Sequence, residues 1–363
     1  MEDGANIVVE TTQRVLQDHC TPAVINDAEA GKWPAKLWDT LEEAGLPLAW
    51  VPDTLGGAGA ELADGFGVLR VAGMFAAPVP LAETLLAGLL LARAGLASPV
   101  GPMTVAPVHM LDEVELDANG RLKGHARDVP FARVAHHIAV LARRDGRWFV
   151  ALVATADCKV TPGESLAGEP RDLVDFDDVL ARETASAGEL DPQALAALGA
   201  SVRAMQMAGG LERILNQSLQ YATERVQFGR PISNFQVIQH NLAQLAGEVA
   251  AASAAADAAA EAIGLGPVLD EMALAEVAAA KVRIGEAASL GTAIAHQVHG
   301  AMGFTYEHSL HHATRRLWSW RDEFGNESHW SSLLGEIAAR HGPDGLWPLV
   351  TGTGSAARRP EGS

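Results

Sequence analysis

"ATERVQFGRPISNFQVIQHNLAQLAGE", residues 222–248, sets Arg225, Gln227, Phe228 and Arg230 between two helical patterns. The first pattern ends in Arg225-Val226-Gln227-Phe228-Gly229-Arg230-Pro231. The second opens at once, with Val237, Ile238, Leu242, Leu245 and Val249 at helical spacing. A guanidinium offers two parallel donors to a phosphate, and a glycine lets backbone come close to a ligand. Arginines at a helix C-terminus also complement the helix dipole. The turn alone leaves both readings open.

The surroundings make the turn stand out. The chain has 363 residues, 48% hydrophobic and 20% charged, with a net charge of −18. That length predicts two or three domains, and that composition predicts a large buried core. The acidity argues against a nucleic-acid partner, since phosphate backbones need a basic surface. It leaves room for one small anion held by a few local arginines. Cys20 and Cys158 stand far apart without a CxxC pair, so neither a disulfide framework nor a zinc site is indicated. Met-Glu-Asp-Gly at the start lacks a basic and apolar leader. The most apolar window, Leu81 to Leu96, is interrupted by Glu83 and Arg93 and is too short to span a bilayer. The expectation is a soluble, cytoplasmic protein.

Outward from the turn, three textures follow one another. Residues 1–100 read as a helical domain, with Leu37, Leu41 and Ala44 on one face and Gly45 placed as a cap. The glycine-rich stretch 53–65 reads as a loop between helices. Residues 101–185 read as a small β domain. "RWFVALVATA" (147–156) is a strand, Asp145-Gly146 marks a hairpin, and Asn119-Gly120 marks a second turn. Residues 186–345 read as a helical bundle. Asp191-Pro192 caps its first helix, and Leu195, Leu198, Val202, Met205, Leu211, Leu215 and Leu219 form a long stripe. A third helix is expected from about Val268 to His299. Residues 346–363 read as a flexible tail. Strand and helix do not alternate, which excludes a doubly wound nucleotide fold.

The turn resembles a motif of the acyl-CoA dehydrogenase family, Arg-x-x-Phe-Gly followed by Phe-Gln-x-(Ile)-Gln. "QVHGAMGFTYEHSLHHATRR" (297–316) is similar to a second family segment, and "LWDTLEEAGLPLAWVPDTLGGAGAELADGFGVL" (37–69) to the family's first domain. The fold this implies is mainly α with a small β domain: helical domain, middle β-barrel-like domain, C-terminal four-helix bundle. The resemblance implies FAD as cofactor and α,β-dehydrogenation of an acyl-CoA thioester. A carboxylate takes the α-proton, and the β-hydride passes to the flavin. It implies that Arg225 and Gln227 contact pyrophosphate oxygens of a neighbouring subunit's FAD and that Phe228 packs at the dinucleotide. Gln297, Gly300 and Gly303 are expected near the adenosine half, and electron-transfer flavoprotein or a similar acceptor would take the electrons.

The departures are equally specific. The family's Thr-Glu-Pro-x-x-Gly-Ser-Asp and Trp-(Ile)-(Thr/Ser)-Asn segments, which wall the flavin, have no counterpart in residues 101–141. Trp148 lacks the polar pair that should follow it. The usual catalytic glutamate falls at Phe324, before Gly325. Glu323 is one residue early, about 100° around a helix. A second family position falls at Gly199-Ala200. No catalytic residue is therefore assigned, and Glu323 and Glu327 are the candidate bases if the local backbone shifts. These gaps resemble the degenerate subunit of bacterial α2β2 acyl-CoA dehydrogenases of lipid or steroid breakdown, which lends its arginine turn to a homologous partner subunit. Two alternatives stay open: a self-sufficient homo-oligomer using Glu323 or Glu327 as base, and a non-catalytic paralogue without FAD.

Other residues read as structural. His308, His311 and His312 suggest a helix face, and the expectation is an exposed helix without metal. Glu307 is expected to fix its loop by hydrogen bonding. Arg315, Arg316 and Arg321 are expected to form surface pairs with Asp322 and Glu323, with contact to a phosphate as the alternative. Trp318 and Trp320, two apart on a helix, cannot both face the core. The stretch at 55–65 is not GxGxxG, and no Gly-x-Ser-x-Gly is present.

Overall fold

The structure, a computed structural model, describes residues 2–264 and 269–351. The N-terminal part holds α1 (Glu2–His19), α2 (Pro22–Glu29), α3 (Ala35–Glu43), α4 (Leu62–Phe75) and α5 (Leu81–Arg93). Gly45 follows α3 in the left-handed region at φ 70°, where a Cβ would be strained. α4 starts inside the expected loop. Asp64 Oδ2 accepts from the Glu61 amide at 3.3 Å, half of a capping box that starts a helix despite the flanking glycines. α5 is buried on nearly every face, including Glu83, which explains why its sequence has no polar stripe.

The strands are β1 (Met103–Ala106), β2 (Val114–Leu116), β3 (Arg121–Pro130), β4 (His137–Arg144), β5 (Arg147–Ala154), β6 (Lys159–Thr161), β7 (Arg171–Leu180) and β8 (Glu183–Ser186). They make one sheet in the order β6-β7-β3-β2-β4-β5-β8, with β1 parallel to β4. The β4–β5 hairpin turns at Asp145 and Gly146, with φ of 51° and 75° and Arg144 opposite Arg147. Two positive φ values give the turn that matches strand twist. Ile138, Val140 and Ala142 pack into a core within the strands, while Ala139 and Leu141 join the helical core. Covering both faces is why β4 and β5 read as continuous apolar runs rather than alternating ones.

The helical bundle begins with α6 (Pro192–Glu224), capped by Asp191, which accepts from the Ala194 amide at 2.8 Å. A two-strand hairpin, β9 (Val226–Gln227) and β10 (Arg230–Pro231), joins it to α7 (Gln236–Gly264). α8 (Glu271–His299), capped by Asp270, packs on α6 and α7, and α9 (Leu310–Asp322) and α10 (Glu327–Thr351) complete the domain. The expected helix start at Val268 and most of the expected tail, residues 352–363, lie outside the described residues. α10 bends at Gly342 (φ 67°), ahead of Pro343, and runs past residue 346 to Thr351. No helix among the described residues is long and apolar enough to cross a membrane.

The N-terminal part meets the bundle through glycines. A Cβ on Gly209 of α6 would lie 1.9 Å from the Arg70 carbonyl oxygen of α4, and one on Gly73 would lie 1.9 Å from the Gln206 carbonyl oxygen. The backbones touch, so no side chain can yield. Gly209→Ala is expected to destabilise the fold by about 1–3 kcal/mol, the usual cost of overpacking. Thermal unfolding should show the lower midpoint.

Candidate functional site

Just past α9 the chain leaves the helix, and Glu323 turns its carboxylate inward. Its Oε1 accepts from Arg171 Nε at 2.8 Å and its Oε2 from Arg203 Nε at 2.7 Å. Arg203 also meets Glu83 at 2.5 Å, and Arg171 meets Glu169 at 3.0 Å. Arg316 continues the chain of charges from Glu169 at 3.0 Å to Glu29 at 2.8 Å, and Trp320 Nε1 donates to Glu169 at 3.2 Å. Arg203 and Arg316 are fully buried, so each guanidinium requires its carboxylates. The network ties α2, α5, β7, α6 and α9 together. Lys281 of α8 donates to the carbonyls of Trp320 at 3.1 Å and Arg321 at 2.9 Å, capping α9 from within the core. Burial pushes its ammonium down to about 8, with Glu323 opposing the shift.

Beside this network a cavity of about 850 Å³ opens between the strand connections and the end of α9. Val108, Met110, Leu166, Trp318 and Phe324 give it an apolar lining, and Arg171 and Glu323 stand at its edge. Glu323 is poorly suited to act as a base there. Burial pushes its carboxyl up, but the charges of Arg171 and Arg203 and their hydrogen bonds outweigh that and leave it below its ordinary value. A carboxylate held ionised with both oxygens engaged is a weak proton acceptor. Glu327 does not line the cavity. It pairs with Arg321 at 2.7 Å and lies against Gly285 of α8.

The two positions at which the resemblance puts a base touch each other. Phe324, in the left-handed region at φ 54°, lays its ring on Gly199 of α6. A Cβ at position 199 would lie 2.3 Å from that ring, and Phe324 is buried. Trp330 Nε1 donates to the Phe324 carbonyl at 3.0 Å and holds the turn. Both positions are thus filled by one aromatic contact, with no carboxylate.

The Arg225 turn lies apart from this cavity, and no residue of the turn lines it. Phe228 and Gly229, at φ 51° and 78°, form the tip of the β9–β10 hairpin. Phe228 is 92% exposed, and the Arg230 guanidinium sits 4.4 Å over the Phe235 ring. The Arg225 side chain is exposed and makes no hydrogen bond or ion pair with the described residues. One turn earlier, Tyr221 stacks on His299 at 4.6 Å, and Gln217 Nε2 donates to Ser309 at 2.8 Å. These contacts bring the turn and the segment Gln297–Gly303 to one end of the bundle. Gln297 and Gly300 are exposed there and Gly303 is buried. Phe304 and Tyr306 are also solvent-facing.

Several expectations are corrected. Arg315 and Arg316 make no surface pairs with Asp322 and Glu323; they reach Glu29 in the interior. Arg321 does make the expected surface pair with Asp322, at 4.0 Å, and a shorter one with Glu327, at 2.7 Å. Glu307 is exposed and makes no hydrogen bond with the described residues. His312 is buried, so the segment is not an exposed helix. Trp320 is buried, whereas Trp318 is half-buried, donates to Thr292 at 3.0 Å and lines the cavity. The ion network is the feature that sequence reasoning missed. Its signal was present in Glu83 within the Leu81–Leu91 run and Arg203 within the α6 stripe, charges placed where a helix is otherwise apolar.

Residues 194–325 match the family described as "Acyl-CoA dehydrogenase, C-terminal domain". The chain is 30% identical over 308 residues to the acyl-CoA dehydrogenase IpdE2 of Mycobacterium tuberculosis, covering 83% of this chain and 87% of the relative. Its fold is similar to that of a chain in the ChsE4-ChsE5 complex from Mycobacterium tuberculosis, with a TM-score of 0.83 and 24% identity over 92% of this chain and 97% of the other. It is also similar to a chain of a variant of the Tcur3481-Tcur3483 steroid ACAD, with a TM-score of 0.81 and 24% identity over 93% and 98% of the two chains.

The network makes Glu323 a stabilising group. Glu323→Gln should cost about 3–5 kcal/mol of unfolding free energy, as breaking a buried pair does. Because its folded pKa is depressed below the ordinary 4.5, its contribution is complete above that value and is lost as pH falls through the folded pKa. Urea unfolding at neutral and acid pH should show the deficit of the variant shrinking on acidification.

Proposed function

The chain belongs to the acyl-CoA dehydrogenase family, and we propose that it is the partner-dependent subunit of a two-component, FAD-dependent enzyme of that family. Its Arg225 turn would serve an FAD whose flavin wall and base come from a homologous chain. The observation that carries this reading is the contrast between the two ends. Both base positions are occupied by the Phe324–Gly199 contact, while Arg225 stands exposed with its donors unused, away from its own cavity.

The residues at the turn suit the cofactor. Arg225 presents a planar pair of donors for a pyrophosphate, Gln227 a further donor, and Gly229 an unobstructed backbone. Phe228 would pack at the dinucleotide, and Gln297, Gly300 and Gly303 would stand near the adenosine half. FAD, when bound, accepts the hydride. This chain's residues would orient its phosphates and exclude water from one side.

Supporting the heteromeric reading, the ChsE4-ChsE5 complex pairs two named chains, and the Tcur3481-Tcur3483 protein is a steroid ACAD. By extension the substrate would be an acyl-CoA bearing a ring system, processed in the cytoplasm by an α2β2 assembly that passes electrons to electron-transfer flavoprotein or a similar acceptor. The self-sufficient reading fares worse, because Glu323 is saturated and Glu327 faces away from the cavity.

Visible absorbance separates these readings. The lone chain should be colourless, and the chain co-expressed with a homologous partner should carry flavin and oxidise acyl-CoA. Flavin and turnover in the lone chain would overturn the proposal, and a colourless co-purified complex would point to a paralogue without FAD. In the complex, Arg225→Ala should weaken FAD binding by about 10–100-fold, the worth of a charged hydrogen bond. Equal flavin retention would rule out the phosphate role of Arg225.

A further inference from the structure

Sequence reasoning expects no metal at His308, His311 and His312, on the premise of an exposed helix. The fold removes that premise. His311 and His312 open α9 and face Glu29 of α2, and one potential ligand atom from each of these three residues lies within 4.8 Å of the others. His312 is 1% exposed.

The hydrogen bonds assign the tautomers. His311 Nδ1 lies 2.8 Å from the His308 carbonyl oxygen, which can only accept, so Nδ1 carries the proton and Nε2 the lone pair. His312 Nε2 lies 2.7 Å from Asn26 Oδ1, so Nε2 donates and Nδ1 holds the lone pair. Both remaining nitrogens are buried and have no partner. This is the arrangement of metal-ligating histidines, which donate the other ring N–H to a carbonyl. Glu29 is held in place by Arg316 at 2.8 Å and by Arg315, and each of its oxygens keeps a second lone pair.

We propose that Glu29, His311 and His312 form a binding site for a zinc-class divalent ion, with water as fourth ligand. The ion would be held by His311 Nε2, His312 Nδ1 and one Glu29 oxygen. The donor set decides which ions fit. Ca²⁺ and Mg²⁺ take oxygen ligands, whereas two of the three donors here are imidazole nitrogens. Zn²⁺ binds neutral imidazole strongly, and the affinity order places it well above the harder ions. Zinc–nitrogen bonds of roughly 2.0–2.1 Å set ligand–ligand edges near about 3.4 Å, so groups that lie within 4.8 Å of one another close up by at most about 1.4 Å. Tyr306, 83% exposed, packs its ring edge-on 5.4 Å from that of His311. Once bound, the ion would fasten α2 to the first turn of α9.

The untagged, chelator-treated full chain, titrated with Co²⁺ as a spectroscopic probe and then with Zn²⁺, tests this. One saturable equivalent with visible tetrahedral bands, displaced by Zn²⁺, is expected. His311→Gln should weaken it at least tenfold, while His240→Gln, at an exposed position on α7, should leave it unchanged. Absence of saturable uptake, or equal uptake by His311→Gln, overturns the site. Zinc-edge X-ray absorption on the unaltered chain gives an answer that needs no variant: two imidazoles in the coordination shell support the assignment, and a shell without them rejects it.

Discussion

The structure depends on a buried chain of alternating charges: Glu83, Arg203, Glu323, Arg171, Glu169, Arg316 and Glu29. A guanidinium removed from water must be repaid by carboxylates at close range, and each of these groups lies on a different segment from most of its partners. The network therefore specifies how the N-terminal helices, the sheet and the bundle sit together, which apolar packing alone leaves less sharply defined. It also fixes the cavity, because Glu323 and Arg171 form its inner edge. Lys281 adds a second constraint by capping α9 at the point where the chain turns inward.

That architecture has a chemical consequence. A carboxylate serves as a base only while its lone pairs and its proton affinity are free. Glu323 has neither, since each of its oxygens meets two guanidinium nitrogens, Oε1 those of Arg171 and Oε2 those of Arg203, and these charges hold it ionised. Phe324 beside it is packed against Gly199, so the region where the resemblance expects a base is here part of the core. The free donors are at the other end of the bundle, on Arg225. The scaffold thus keeps an exposed arginine turn at one end while its interior is committed to stability.

Much of this was legible in the chain. The β4–β5 hairpin followed from Asp145-Gly146, because few residue pairs take two positive φ values. The start of α6 followed from Asp191-Pro192. The helix–strand–helix order followed from periodicity. α4 was less legible, because its capping pair, Glu61 and Asp64, lies in a glycine-rich stretch that reads as loop. The surface pairing expected of Arg315 and Arg316 failed for a different reason. Their partner Glu29 is far away in sequence, and charge patterns reveal only local neighbours. His312 was misjudged in the same way, since its partner Asn26 lies on α2.

The sequence by itself determined the fold class and the family, because turn chemistry, caps and short motifs are local and survive in the order of residues. It also showed Gly199 and Phe324 at the positions where the resemblance expects a base. Only the tertiary structure decided that these two residues fill each other's space, that Glu323 is an ion-pair partner and that Glu29 meets two histidines. Each of those facts is a contact between segments remote in the chain. Such contacts are set by how helices cross and by which charges must be neutralised when water is excluded, and no local pattern encodes them.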